Sequence, residues 1–368
     1  MPVPLLDLKA QHATIRDEVV AAMMRVVDDQ VFILGDPVER LESQVAELSN
    51  TKHAIGCANG TDAILLALRA LGVGAGDEVI TTPFTFFATA GAIHNVGAKP
   101  VFADIETASF NLNADAAAAV KTSRSKAVIP VDLFGQMAEL ERFGALGLPV
   151  VEDAAQAIGA RREISGSMVR AGERATIGTF SFFPSKNLGG YGDGGMMVTQ
   201  DDEIAGRLRK LRVHGGLKTY HHEMVGYNSR LDALQAVVLS AKLPHLESWS
   251  AARRAHAKYY DDAFADLGGV RTPQIDKRNE SIYNQYTLRV EKRDSLQAHL
   301  KACSVGSAIY YPVPLHLQPC FDYLGYRKGA FPESERAAEE VLSLPVYPEL
   351  TRAQQDEVIE AVHDFYRH

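Results

Sequence analysis

The stretch His53-Ala54-Ile55-Gly56-Cys57-Ala58-Asn59-Gly60-Thr61-Asp62-Ala63-Ile64-Leu65-Leu66-Ala67-Leu68-Arg69-Ala70-Leu71 reads as a strand, a turn and a helix in immediate succession. His53–Cys57 is an apolar run of strand length. Ala58–Asp62 is rich in turn and capping residues, and Asp62–Leu71 carries apolar residues at helical spacing. The unit recurs downstream, where short runs at Glu78–Thr82, Pro100–Asp104, Ala127–Val131 and Val150–Asp153 are separated by helical stretches such as Thr85–Asn95 and Met137–Leu146. Such alternation predicts βα units and an α/β fold around a mostly parallel sheet.

On the N-terminal side, Asp36-Pro37-Val38-Glu39 reads as an N-cap, a proline at the first helical position and a capping-box acid, opening a helix that carries Leu41, Val45 and Leu48. Beyond Arg230 a long helical pattern runs through Leu246 and Trp249 toward Phe264. After Gly268-Gly269 the order becomes strand (Gln285–Val290), helix (Asp294–Lys301), strand (Ala308–Tyr311) and a last helix from Thr351 to Tyr366. This change of order predicts a large domain over residues 1–250, N-terminal helix included, and a smaller α+β C-terminal domain over residues 251–368.

Composition excludes several classes. The 368 residues are 46% hydrophobic and 23% charged, enough to bury a large core. No apolar stretch approaches the roughly 20 residues of a spanning helix. The start Met1-Pro2-Val3-Pro4-Leu5-Leu6-Asp7 lacks a basic region followed by an apolar one, so neither secretion nor membrane insertion is expected. Cys57, Cys303 and Cys320 show no CxxC spacing, which argues against a disulfide framework or a zinc site and fits a reducing cytoplasm. A net charge of -8 without a long run of Lys or Arg lacks the footprint of nucleic-acid binding.

In open parallel sheets ligands gather at the carboxyl ends of strands, where helix N-termini offer unpaired N–H groups. Gly60 and Thr61 sit at such a junction and could cradle a phosphate through their amides; a plain capping turn is the alternative. Val150-Val151-Glu152-Asp153-Ala154-Ala155-Gln156 ends a strand in an acid. In Thr179-Phe180-Ser181-Phe182-Phe183-Pro184-Ser185-Lys186 a lysine follows an apolar strand that would desolvate its amine and lower its pKa, as imine formation requires. Lysine and acid together suit pyridoxal phosphate (PLP): Lys186 would hold the aldehyde and Asp153 the ring nitrogen, with Gln156 near the phenolic oxygen and the Ser181 hydroxyl on the phosphate. Taken singly, a salt bridge or helix cap for Asp153 and a solvated loop position for Lys186 stay open. Gly189-Gly190-Tyr191-Gly192-Asp193-Gly194-Gly195 lacks the GK[ST] ending of a P-loop and reads as a tight turn that lets backbone approach the cofactor.

These motifs, together with Gly60-Thr61-Asp62-Ala63, Thr85-Phe86-Phe87-Ala88-Thr89, Gly226-Tyr227-Asn228-Ser229-Arg230 and Pro312-Val313-Pro314-Leu315-His316-Leu317-Gln318, resemble the DegT/DnrJ/EryC1/StrS sugar aminotransferases in order and spacing, over nearly the whole chain. The resemblance implies fold type I of PLP enzymes, a sheet of about seven strands, and a homodimer with active sites at the interface. It makes Lys186 the imine-forming lysine, Asp153 the pyridinium partner, Gln156 the contact to the phenolic oxygen and Phe86 the ring stacked on the cofactor. Gly60, Thr61 and Ser181 hold the phosphate, which Asn228 reaches from the other subunit, and His316 lies near the substrate, with a structural role beside its prolines as the alternative. The implied reaction takes an amino group from L-glutamate, by way of pyridoxamine phosphate, to a nucleotide-linked keto sugar in ping-pong fashion. A branch of the family with histidine in place of the lysine performs dehydration, and Lys186 argues against it.

Arg212-Val213-His214-Gly215-Gly216-Leu217-Lys218-Thr219-Tyr220-His221-His222-Glu223 looks like the loop of members that aminate C3, which makes a UDP- or dTDP-linked 3-keto sugar the expected substrate and C4 amination the alternative. Lys218, Tyr220 and Arg230 are candidates for the anionic nucleotide, with surface salt bridges as the bland reading for the two cations. The histidines of this loop do not have a recognised ligand spacing, and no metal is expected. The polar insert Arg161-Arg162-Glu163-Ile164-Ser165-Gly166-Ser167 has no assignable role. Two rivals come from other classes. A hydride-transfer enzyme needs GxGxxG after the first strand, where Cys57-Ala58-Asn59-Gly60-Thr61 stands instead. A non-catalytic PLP-binding regulator would be expected to carry a DNA-reading module or a basic face.

Overall fold

The computed structural model describes residues 2–367. Helices α1 (Leu8–Asp29) and α2 (Asp36–Leu48) lead into β1 (His53–Cys57), α3 (Gly60–Ala70), β2 (Glu78–Thr81), α4 (Ala88–Asn95), β3 (Lys99–Phe102), α5 (Ala114–Ala119), β4 (Ser125–Val128), α6 (Leu140–Phe143) and β5 (Val151–Asp153). A hairpin of β6 (Arg161–Ile164) and β7 (Ser167–Arg170) precedes β8 (Ile177–Ser181), β9 (Gly195–Thr199), α7 (Asp202–Leu211), α8 (Ala233–Lys242) and α9 (Leu246–Phe264). Bridges Val128–Val150 and Val131–Asp153 join two strand groups into one sheet of order β3-β2-β4-β5-β8-β9-β1, in which β9 alone, among the described residues, runs against the rest.

Alternation along the strands explains why this sheet is buried on both faces. Ala54, Ile80, Val128, Met196 and Val198 feed one core, while their neighbours Ile55, Val79, Ala127 and Met197 feed another on the opposite face. Strands covered twice must be apolar at every position, which is how these runs read in the sequence.

The C-terminal part adds β10 (Val270–Arg271), β11 (Asn279–Glu280), β12 (Tyr286–Val290), α10 (Arg293–Ala302), α11 (Pro332–Glu340), β13 (Val341–Leu344) and α12 (Arg352–Arg367). Strands β10, β12 and β13 form an antiparallel sheet over a core of Tyr260, Phe264, Tyr286, Leu288, Leu344 and Val358. Val3 also packs there and bridges Val305, so the N-terminal segment belongs to this second core. Helix α9 is shared: Trp249 packs with Ile15, Val19 and Val238, and Tyr260 and Phe264 pack in the C-terminal core, so a boundary after residue 250 falls inside one continuous helix.

Several local readings are corrected. Gly35, at φ 77°, caps α2, so Asp36 is the first helical residue instead of the cap. The pattern beyond Arg230 breaks into α8 and α9 at a single 3-10 turn, Leu243–His245, which contains Pro244. The Met137–Leu146 stretch yields only α6 and a 3-10 turn; Met137 and Ala138 lie outside the helix and are buried in the core. Ala308–Tyr311 is not a strand; only Ala308 pairs, with Ser343 of β13, and Pro312 has no N–H to extend a ladder. The polar insert is the β6–β7 hairpin, whose fully buried Arg162 bonds Glu141 at 2.9 Å and Asp276 at 3.2 Å and pairs β6 with β11.

Candidate active site

Strands β5 and β8 are parallel neighbours with Asp153 opposite Thr179, so their carboxyl ends open at the same edge of the sheet. Asp153 is the last residue of β5, and Lys186 sits in the turn that follows β8. That turn is tied to itself: Lys186 N donates to Phe183 O and Gly190 N to Phe182 O, both at 2.8 Å. A Cβ on Gly189 would come within 2.2 Å of Pro184 O, so glycine here lets the chain close on its own backbone. Burial pulls the Lys186 amine down to about 8, against the opposing pull of Asp153. Asp153 is itself buried and held by two neutral donors, the Thr89 hydroxyl at 2.7 Å and the Ala155 amide at 3.3 Å. Burial pushes its pKa up, while Thr89, Ala155 and Lys186 pull it back. A buried carboxylate facing a desolvated amine is the pairing the sequence suggested.

Gln156 closes the floor. Its Oε1 accepts from Phe134 N at 2.7 Å and its Nε2 donates to Tyr311 Oη at 3.0 Å. The Tyr311 ring lies 6.2 Å from Phe86 and edge-on to Phe84 at the same distance. Phe86 stands in the loop before α4, which starts three residues later than its pattern suggested, and its ring is 57% exposed.

Next to this floor, the Asn59 side chain caps α3 by accepting from Asp62 N at 2.8 Å. Among the described residues, the amides of Gly60 and Thr61 then have no protein acceptor. Gly60 lies against Ser181, where a Cβ would meet the serine Cβ at 2.6 Å, so glycine is needed to bring the two together. Gly60, Thr61 and Ser181 therefore present two amides and a hydroxyl at one point of the edge.

The remaining candidates fall elsewhere. Lys218, Tyr220 and Arg230 line an open cleft of about 940 Å³ with Leu34 and His214, and Asn228 bridges Val213 in the same loop with its side exposed. His316 follows Leu315, whose amide donates at 2.7 Å to Pro83 O in the loop that carries Phe86. His316 is 2% exposed, with its ring 4.7 Å from that of Phe331 and Nε2 3.0 Å from Glu335 Oε1, a packing that suits a structural role. Two residues that the sequence did not single out belong to the floor: Thr89, which holds Asp153, and Tyr311, which holds Gln156. Thr89 did lie in a quoted motif, but the contact of its hydroxyl with Asp153 depends on two loops meeting in space.

A desolvated lysine beside a buried carboxylate, at the carboxyl edge of a parallel sheet and next to a helix N-terminus with unpaired amides, is an arrangement suited to imine chemistry and to holding a phosphate. The DegT/DnrJ/EryC1/StrS aminotransferase family matches residues 13–363, and the chain belongs to that family. The chain is 51% identical to a pleiotropic regulatory protein of Geobacillus stearothermophilus, over all of both chains. It is 46% identical, over 96% of its own length and 95% of the relative's, to the UDP-N-acetyl-3-dehydro-alpha-D-glucosamine 3-aminotransferase of Acidithiobacillus ferrooxidans. Among solved structures, Streptomyces venezuelae DesV in complex with a ketimine intermediate superposes with a TM-score of 0.97 at 41% identity, over 100% of this chain and 99% of DesV. The architecture is that of fold type I PLP-dependent transferases, and no described helix is long and apolar enough to cross a membrane.

Proposed function

We propose that this protein is a PLP-dependent aminotransferase that moves an amino group from L-glutamate to C3 of a UDP- or dTDP-linked 3-keto sugar. The observation that carries the reading is the Lys186–Asp153 pair, a lysine whose amine burial brings near 8 facing a buried carboxylate. The donor set fits PLP on features of this chain alone. Asp153 has only neutral hydrogen-bond donors, so a protonated ring nitrogen would supply the charge its burial lacks. The amides of Gly60 and Thr61 with the Ser181 hydroxyl match a phosphate.

When bound, PLP supplies an electron sink for loss of a proton next to the amino group. The chain's own residues do the rest. With its pKa near 8, the Lys186 amine is partly neutral at physiological pH and able to take a proton and return it within the same site. Asp153 keeps its charge opposite a cation and so holds a proton on the ring nitrogen. Phe86 offers an exposed aromatic face, and Gln156 an amide N–H beyond the one used by Tyr311. Lys218 and Arg230 bring positive charge to the open cleft, in keeping with a nucleotide's phosphates.

The cleft also supports a homodimer. Val31, Phe32, Ile33, Leu217 and Val225 expose apolar surface around it, as an interaction face does. A second copy would cover this surface and bring Asn228 to the partner's phosphate site.

The 51% identity to a regulatory protein favours a second reading, a PLP-binding regulator without turnover. One experiment separates the two. Purified protein is incubated with glutamate and UDP- and dTDP-linked 3-keto and 4-keto sugars, and products are read by mass spectrometry and NMR. Amination at C3 with formation of 2-oxoglutarate is expected; amination only at C4, or none, would overturn the reading.

A further inference from the structure

Gln156 is 6% exposed, and both ends of its amide are spoken for. Phe134 N can only donate, so the oxygen of the amide must face it, at 2.7 Å. The nitrogen therefore faces the other way, where it donates to Tyr311 Oη at 3.0 Å. Because that hydroxyl oxygen accepts, its hydrogen is left to donate in turn, and among the described residues it has no protein acceptor. Burial raises the pKa of Tyr311, so the hydrogen stays on the oxygen. The ring is wedged between Phe84 and Phe86, each 6.2 Å away.

Tyr311 reaches this position from the far end of the chain, 155 residues beyond Gln156. It follows Ala308, which is hydrogen-bonded to Ser343 of β13 in both directions, so the hydroxyl is referred to the C-terminal sheet. The Gln156 amide is thus held at its oxygen by Phe134 N and at its nitrogen by a residue tied to the small sheet.

We propose that Tyr311 is a positioning residue of the cofactor site, which locks the Gln156 amide as an N–H donor toward the phenolic oxygen of PLP. This rests on the PLP reading above. A donor on that oxygen draws off negative charge and loosens its hold on the neighbouring imine proton, so removing the lock should make that proton harder to lose.

The test is a pH titration of the visible absorbance of the PLP-loaded protein, run on wild type, Tyr311→Phe, Gln156→Leu and the double variant. Tyr311→Phe keeps the ring contacts and loses only the hydroxyl. Its absorbance midpoint should rise by about one pH unit, and PLP should dissociate about tenfold more readily, the size of one lost hydrogen bond. In the Gln156→Leu background the same change should add nothing, since the residue acts through Gln156. A Tyr311→Phe protein that titrates as wild type does, or a shift that persists in full in the Gln156→Leu background, would overturn the proposal. A wild-type protein with no visible band would overturn it together with the cofactor reading, which keeps the two failures distinct.

Discussion

The floor around Lys186 and the cleft around Arg230 are built in opposite ways. On the floor, Asp153 and Gln156 are buried and each is held by groups of the same chain: Thr89 and Ala155 for one, Phe134 and Tyr311 for the other. In the cleft, Tyr220 and Val225 are 95% and 94% exposed, and Lys218 and Arg230 have no salt-bridge partner among the described residues. A group that must be desolvated and aimed needs a rigid shell, and a single chain provides it for the chemistry. The cleft is a wall that a single chain leaves open.

The largest effect expected belongs to the floor. Lys186→Ala should lower turnover by roughly 10³-fold or more, because it removes the group that takes and returns the proton. Stopped-flow or discontinuous assays with glutamate alone would show this in the first half-reaction. A variant that retained that half-reaction would move the chemistry to another residue.

The cleft should respond differently. Arg230→Ala is expected to raise the sugar-nucleotide KM about tenfold with kcat nearly unchanged, the pattern for loss of one charge-assisted contact. If the open wall is completed by a second copy, mixing Asn228→Ala with Lys186→Ala should restore activity that neither has alone, because one site of the mixed dimer is then intact. Failure to regain activity despite subunit exchange, followed by native mass spectrometry, would make the floor and cleft independent.

A smaller effect lies beneath the floor. Asp132 and Glu152 are both fully buried; each accepts one backbone N–H, from Ala138 and Gly172, and each has a second oxygen without a protein donor. Burial raises both pKa values, that of Asp132 to about 7; Asp132 raises Glu152 further, whereas a hydrogen bond with Glu152 pulls Asp132 back, so the pair retains a proton that the unfolded chain has lost. For such raised carboxyls the sign is fixed: their stabilisation is complete below the ordinary carboxylate range of about 4 and is lost as pH rises through the folded value. Wild type should therefore melt at progressively lower temperature between pH 5 and about 8, and Glu152→Gln should flatten that slope. Equal slopes in calorimetry would show that the pair does not hold the proton.

Much of the floor was legible in the sequence. Asp153 and Ser181 end strands, and Gln156, Gly60 and Lys186 lie in the segments that follow strands; a strand's end can be read from its apolar run. The strands at His53–Cys57 and Glu78–Thr81 were readable for the same reason, since a sheet covered on both faces writes its period into consecutive residues. Tyr311 was not legible, because its partner is 155 residues away and no local pattern reports that contact. Strand β13 was missed as well; four residues directly after a helix carry too little periodicity to stand out. His316 shows the converse, since a motif fixes a position in the chain and not the direction in which a ring packs, here against Phe331.

The central claim is that Lys186 carries the imine chemistry. Reducing the PLP-loaded protein with borohydride and mapping its peptides tests this most directly. A single pyridoxyl label on Lys186, absent when glutamate is added first, is the predicted result. A label on another lysine, or none on a protein that still transfers amino groups, would contradict the account.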